Sequence, residues 1–388
     1  MQSPKAVGLG GSGMRYFIFC LFLLLFATQP GWAQPAKYMD NYSCKECHEQ
    51  IYDEYQSSAH SQSFFSNTFH QDIAKQAHEQ KYECAVCHMP MANNLQDLIE
   101  GKAKPDINNK THTDGVSCFF CHTIAYVKKS HKYNINIQAR QAEGYKPTLY
   151  GTLIDPDDSD KHSSTTNPVY TANVCKGCHS HKVNDNNITV FRTMQSEQNS
   201  KDCIKCHMPE IQGGAEKIDK RSRGHHASHK FLGIHDEAFR ATGMDINLSV
   251  ENEQLNVMLT NKMSHPLIIQ AARAKFLKIT IERDGKEIWK NYQKEPGEDK
   301  AGYFAYSFAA DNRHVVVPAT ATQSTVNNLE AKETKQLTYQ ILPLQKGDNV
   351  KVALYVQLAR DDCKKVMREE DIKLTQPLLM KEVVYIQK

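Results

Sequence analysis

From about residue 244 onward, apolar and polar side chains alternate along the chain. "DINLSVENEQLNVMLTN" and "AKFLKITIERDGKEIWKN" keep a period of two, and the second contains Asp284-Gly285, a pair suited to the positive torsions of a tight hairpin turn. "QLTYQILPL", "NVKVALYVQLA" and "KEVVYIQK" continue the period. Successive side chains of a strand point to opposite faces, so each run can bury one face and wet the other. The pattern predicts an antiparallel β-sandwich over residues 241–388, immunoglobulin-like in outline.

Upstream the period disappears. Between residues 41 and 240, stretches such as "MANNLQDLIEGKAKPDINNK" and "DPDDSDKHSSTTNP" are rich in Asn, Asp, Ser and Pro and read as loops. So polar a segment has few apolar side chains with which to build a core, and the missing surface must come from elsewhere. Near the start, an apolar run over residues 16–27 follows Arg15 and precedes a Pro30-Gly31 break and the small-x-small ending Gly31-Trp32-Ala33. This reads as a signal peptide over residues 1–33, cut before Gln34. The run is short for a bilayer span, and no later run is apolar enough to cross one. A periplasmic or extracellular protein with no transmembrane segment in the mature chain is expected. A net charge of +3 implies neither nucleic acid nor an anionic membrane as partner.

The cysteines change the picture. There are 12, which in an exported chain would ordinarily indicate disulfides. Cys20 lies in the leader and Cys363 stands alone, while the rest form "CKECH" (Cys44, Cys47, His48), "CAVCH" (Cys84, Cys87, His88), "CFFCH" (Cys118, Cys121, His122), "CKGCH" (Cys175, Cys178, His179) and "CIKCH" (Cys203, Cys206, His207). At the frequency of 18 histidines in 388 residues, five chance histidines in that place would occur on the order of once in several million trials. Zinc thiolate sites need paired CxxC units and give no reason for the histidine. Thioredoxin-like chemistry uses one such motif in a βαβ setting. C-x-x-C-H is the attachment signature of c-type haem: two thioether bonds hold the porphyrin edge and the histidine is the proximal iron ligand. Five covalent haems are predicted, and their faces supply the missing apolar surface. The fold expected is α+β: short helices and loops around a haem stack over residues 34–240, followed by the sandwich.

A haem iron has one axial position left after the proximal ligand, and spare histidines are its obvious supply. Most lie between the first motif and Lys230, including His60, His70, His78, His112, His131, His162 and His181, with only His265 and His314 clearly downstream. "GHHASHKFLGIH" crowds His225, His226, His229 and His235 together; if helical, His225 and His229 share a face, and His229 precedes the apolar pair Phe231-Leu232. Met89 and Met208 directly follow proximal histidines and start on the wrong side of the porphyrin plane to ligate. The distal candidates are His60, His112, His162, His225 and His229.

Residues 42–235 resemble the multihaem c-type cytochromes, in particular the group that includes the tetrahaem electron-transfer partner of hydroxylamine oxidoreductase. The resemblance rests on "CKECHEQIYDEYQSSAHSQSF", "TDGVSCFFCHTIAYV" and "YGTLIDPDDSDKHSSTTNPVYTANVCKGCH". It implies that His60 and His162 are distal ligands. The chain departs from the tetrahaem pattern by its fifth motif and C-terminal extension, and from pentahaem nitrite reductases by lacking C-x-x-C-K.

Abundant histidine favours electron transfer through bis-histidine haems, between a quinol dehydrogenase or periplasmic donor and a terminal reductase or another cytochrome. Two alternatives stay open. One is a reductase with a five-coordinate haem acting on nitrite, hydroxylamine or a sulfur oxyanion. The other is a homo-oligomer or extracellular filament in which histidines of one protomer ligate haems of the next. The motif count has a direct check: intact-mass measurement of the holoprotein is expected to give the chain from near Gln34 plus five haems, and any other number contradicts it.

Overall fold

Short helices with polar caps carry the upstream half. A computed structural model describes residues 38–66, 68–77, 81–141, 145–193, 203–213, 224–368 and 374–388; the leader, Cys20 and His78 lie outside them. Motif residues lie in or beside single-turn helices, at Asn41–Lys45, Ala85–His88, Cys118–His122, Lys176–His179 and Cys203–His207. Asp40 caps the first by accepting from the Ser43 amide, and Ser117 caps the third by accepting from Phe120. The longer helices, Glu49–Gln56 and Thr68–Ala77, follow the first motif.

Between the helices run short two-stranded pairs: β1 (Ile124–Lys128) with β2 (Ile135–Gln138), parallel β3 (Thr148–Gly151) with β4 (Ser163–Thr166), β5 (His181–Val183) with β6 (Thr189–Arg192), and β7 (Glu210–Gln212) with β8 (His225–Ala227). The β1–β2 hairpin braces the fourth motif. Asn134 Nδ2 donates to the Lys176 carbonyl, and Asn136 packs where a side chain at Gly177 would stand, its Oδ1 2.0 Å from an added Cβ. Apolar packing here comes in small separate groups, such as Phe64 with Ala85, Met89 and Leu98, or Phe120 with Ile124, Val169 and Tyr170.

From Met244 the chain is almost all antiparallel strand. A three-stranded sheet has the order β16-β10-β9, from β9 (Met244–Glu251), β10 (Gln254–Asn261) and β16 (Thr334–Gln340). A larger sheet runs β14-β13-β11-β17-β18, from β11 (Ala274–Arg283), β13 (Tyr303–Ala310), β14 (Arg313–Val315), β17 (Asn349–Gln357) and β18 (Leu378–Ile386). β12 (Lys286–Lys290) pairs with β11, and β15 (Gln323–Asn327) with β13. Asp284 and Gly285 have φ of 51° and 73°, as the hairpin turn between β11 and β12 requires. Both sheets feed one core: Ile246, Val257 and Leu337 from the smaller meet Ile279, Phe304 and Val352 from the larger.

The sandwich also grips the upstream half. Asp72 accepts from Arg368, Arg192 pairs with Glu330, and Asn184 Nδ2 donates to the carbonyls of Pro318 and Ala321. Cys363, which stands alone in the sequence, is buried with Ala359 against Phe69 of the helix Thr68–Ala77. Ile279 is fully buried in the shared core, so Ile279→Ala is expected to lower unfolding free energy by about 2–5 kcal/mol in denaturant titrations of β-sheet circular dichroism.

Candidate haem-binding site

One internal cavity of ≈ 1760 Å³ runs through the upstream half and along the end of the sandwich. That exceeds the roughly 300–1,000 Å³ of an ordinary small-molecule pocket. All ten motif cysteines and all five motif histidines line it. Thiols of different motifs lie side by side: Cys44 beside Cys118, and Cys87 beside Cys178. The first and third attachment points therefore adjoin, as do the second and fourth.

Each motif histidine faces a second histidine brought from another part of the chain. His48 opposes His162 with ring centroids 6.4 Å apart, His122 opposes His229 at 6.2 Å, His179 opposes His60 at 5.9 Å, and His207 opposes His265 at 6.4 Å. Two imidazole nitrogens bound to one metal at about 2 Å each would put the centroids roughly 6–6.5 Å apart. His70 and His88 are the exception, at 4.4 Å and a 64° inclination.

Five of the ten paired rings are oriented in the same way. A metal-bound imidazole usually donates its other ring N–H to a carbonyl or carboxylate. His88 Nδ1 bonds the Ser63 carbonyl, His122 that of Tyr150, His207 that of Leu232, His229 that of Ala227 and His265 that of Pro266. In each, Nε2 is left as the second ring nitrogen. Burial, reinforced by neighbouring histidines, pushes His60 down to about 3 and His179 and His229 down to about 4, so these rings stay neutral, the form that binds a metal. Burial likewise lowers His70 to about 3 and His265 to about 4.

Of the sequence candidates, His60, His162 and His229 thus face motif histidines. His112 does not. Its Nε2 bonds Asn94 Oδ1 at 2.7 Å and its Nδ1 accepts from the Asp106 amide, so both ring nitrogens are already committed. His225 sits exposed on β8, paired through its backbone with Gln212. The segment holding His225 and His229 is a strand and turn rather than a helix, so the helical reason for linking them does not hold.

His229 is placed by Glu54, which sequence reasoning missed. Its buried carboxylate accepts from the His229 amide at 2.8 Å and from His226 Nε2 at 3.0 Å, clamping the segment to the helix Glu49–Gln56. Phe231, held at φ 50°, then packs edge-on against His60. His70 and His265 were also missed as partners. His265 arrives from the loop between β10 and β11, where proximity in sequence gives no signal. Met89 is buried in the small core beside its motif, and Met208 lines the cavity.

Residues 43–123 match the family model described as "Cytochrome c554 and c-prime". A penta-haem cytochrome c552 from Thermochromatium tepidum superposes with a TM-score of 0.73 at 22% identity, covering 90% of this chain and 99% of that one. This chain has the fold of a penta-haem cytochrome c. The E. coli curli protein CsgC (TM-score 0.15, 10% identity, 29% of this chain and 82% of that) and a superoxide reductase in the oxidized state (0.17, 8%, 37% and 86%) overlap too poorly to carry any argument. No curated protein matches the chain. Among the described residues, no helix is long and apolar enough to cross a membrane.

The cysteines, the motif histidines and the shape of the cavity fit five covalently held c-type haems. The hydrogen bonds of His112 make it a structural residue. His112→Ala is expected to cost about 1–3 kcal/mol of stability through the stranded Asn94 and Asp106 partners, while the haem absorption spectrum, measured on the same sample, stays unchanged.

Proposed function

We propose that this chain is an electron carrier with five haems, four of them held between two histidines, His48 and His162, His122 and His229, His179 and His60, and His207 and His265, and the fifth on His88, with His70 the nearest side chain to complete it. The single observation that carries this reading is the opposition of histidine rings across one cavity, four pairs at the spacing an intervening iron needs. Haem supplies a reversible one-electron iron couple, tuned by axial ligand and burial.

The protein residues do the rest. The motif cysteines would tether each group, and in the four pairs at iron spacing the two imidazoles would both ligate the metal and leave no place there for substrate. Carbonyls of Ser63, Tyr150, Ala227, Leu232 and Pro266 fix the ring tautomers and raise ligand basicity. The adjoining thiols of the first and third motifs, and of the second and fourth, support close packing of the groups into a continuous path. Redox partners are another cytochrome, a quinol dehydrogenase or a terminal reductase, reached from the periplasm or outside the cell. The two halves are read as a haem domain over residues 34–240 and a sandwich over 241–388, with His265 reaching back across the boundary.

Every motif histidine has an opposing histidine within the same chain, which supports a self-sufficient carrier over a filament that borrows ligands. The reductase reading attaches to one place. His70 stands too close to His88 for an iron between them, so the second haem is where a distal position open to nitrite, hydroxylamine or a sulfur oxyanion would belong.

Carbon monoxide separates these readings. The reduced holoprotein is expected to show little spectral change, and stoichiometric binding at one haem would instead support the reductase. His265→Ala is expected to keep all five thioether attachments by mass while converting one haem to a high-spin, carbon monoxide-binding form. A fully low-spin spectrum in that variant contradicts the pairing of His207 with His265.

A further inference from the structure

Two cations from the sandwich line the cavity, and among the described residues no carboxylate pairs with either. Arg273 directly precedes β11 and Lys275 is its second residue, so the strand period directs both to the same side. Both line the cavity. Lys275 is 6% exposed, and its Nζ donates to the carbonyl of Leu267, two residues beyond His265. Burial draws the Arg273 guanidinium down to about 10, and burial together with Arg273 draws the Lys275 ammonium down to about 7; among the described residues no acid acts on either. Cations removed from water without a counter-charge are costly, so such a pair is expected to have an anionic partner.

Their placement narrows the partner. Lys275 bears on His265, and Arg273 on His70 and His179, which sets the two charges among the fifth, second and fourth histidine pairs. Haem brings two carboxylates of its own, on the edge opposite its thioether bonds. Resting on the five-haem reading above, we infer that Arg273 and Lys275 receive a propionate of the haem held by His207 and His265. The sandwich thereby supplies that haem with counter-charge as well as a ligand. Fixed positive charge beside a buried iron disfavours its oxidised form, so these residues raise its potential. They are positioning residues, since neither touches the iron.

The test is a spectroelectrochemical titration of the full-length holoprotein. In Lys275→Met and Arg273→Met, the reduction equilibrium of one haem is expected to shift toward the oxidised form by about tenfold, or about 59 mV for a one-electron couple. Intact mass stays at five haems and the spectrum stays low-spin. Lys275→Arg, which keeps the charge, should retain the wild-type potential. Should Arg273→Met fail to accumulate as holoprotein, Lys275→Met and Arg273→Lys carry the comparison. Unchanged potentials for all five haems in the charge-removing variants overturn the inference. So does a saturable shift of the wild-type potential by added acetate, because an exchangeable anion would then occupy the site. A wild-type mass with fewer than five haems overturns the five-haem reading itself, and is seen before any variant is made.

Discussion

The opposition of two imidazole rings across a shared cavity is the constraint on which the rest of this structure depends. Four of the pairs join segments far apart in the chain, such as His48 with His162, His122 with His229 and His207 with His265. A ring can serve there only if it is neutral, buried and turned with one nitrogen inward. Burial provides the first two conditions and backbone carbonyls on Nδ1 the third. Loops of almost any length can lie between such fixed points, which explains how so polar a half holds a defined shape.

The two halves are stabilised by different physics. The sandwich has one continuous apolar core shared by both sheets. The upstream half has only small apolar groups, and its order depends on polar clamps such as Glu54 on the His229 segment, Asn136 against Gly177 and the carbonyls on His88, His122, His207, His229 and His265. Binding free energy of a prosthetic group then becomes folding free energy. The halves are also coupled, because the loop before β11 carries His265 and the first residues of that strand region bring Arg273 and Lys275 to the cavity wall.

Several signals in the sequence were read at the wrong range. "GHHASHKFLGIH" reads as a supply of ligands, and its members divide the work differently. His229 faces His122, His226 is spent on Glu54, Phe231 packs on His60, and the Leu232 carbonyl orients His207. A helical period suggested that His225 and His229 belong together, whereas the segment enters as a strand. His112 is spent in the same way, with Asn94 and the Asp106 amide on its two nitrogens.

Sequence alone determined the attachment points and most of the strands downstream of Met244. The spacing of Cys, Cys and His within five residues is a local chemical requirement, and the alternation from β9 to β18 records which face of each strand is wet; both are complete within a short window. β13 was not read, since "YFAYSFAA" is buried on both faces over much of its length and lacks clean alternation. Tertiary structure alone decided which histidine faces which. Nothing local in His265 or His70 distinguishes them from His112 or His225. Ligation requires a ring nitrogen left free and aimed at a partner more than a loop away, and that is settled only when the chain has folded and its carbonyls, amides and carboxylates have claimed the other nitrogens.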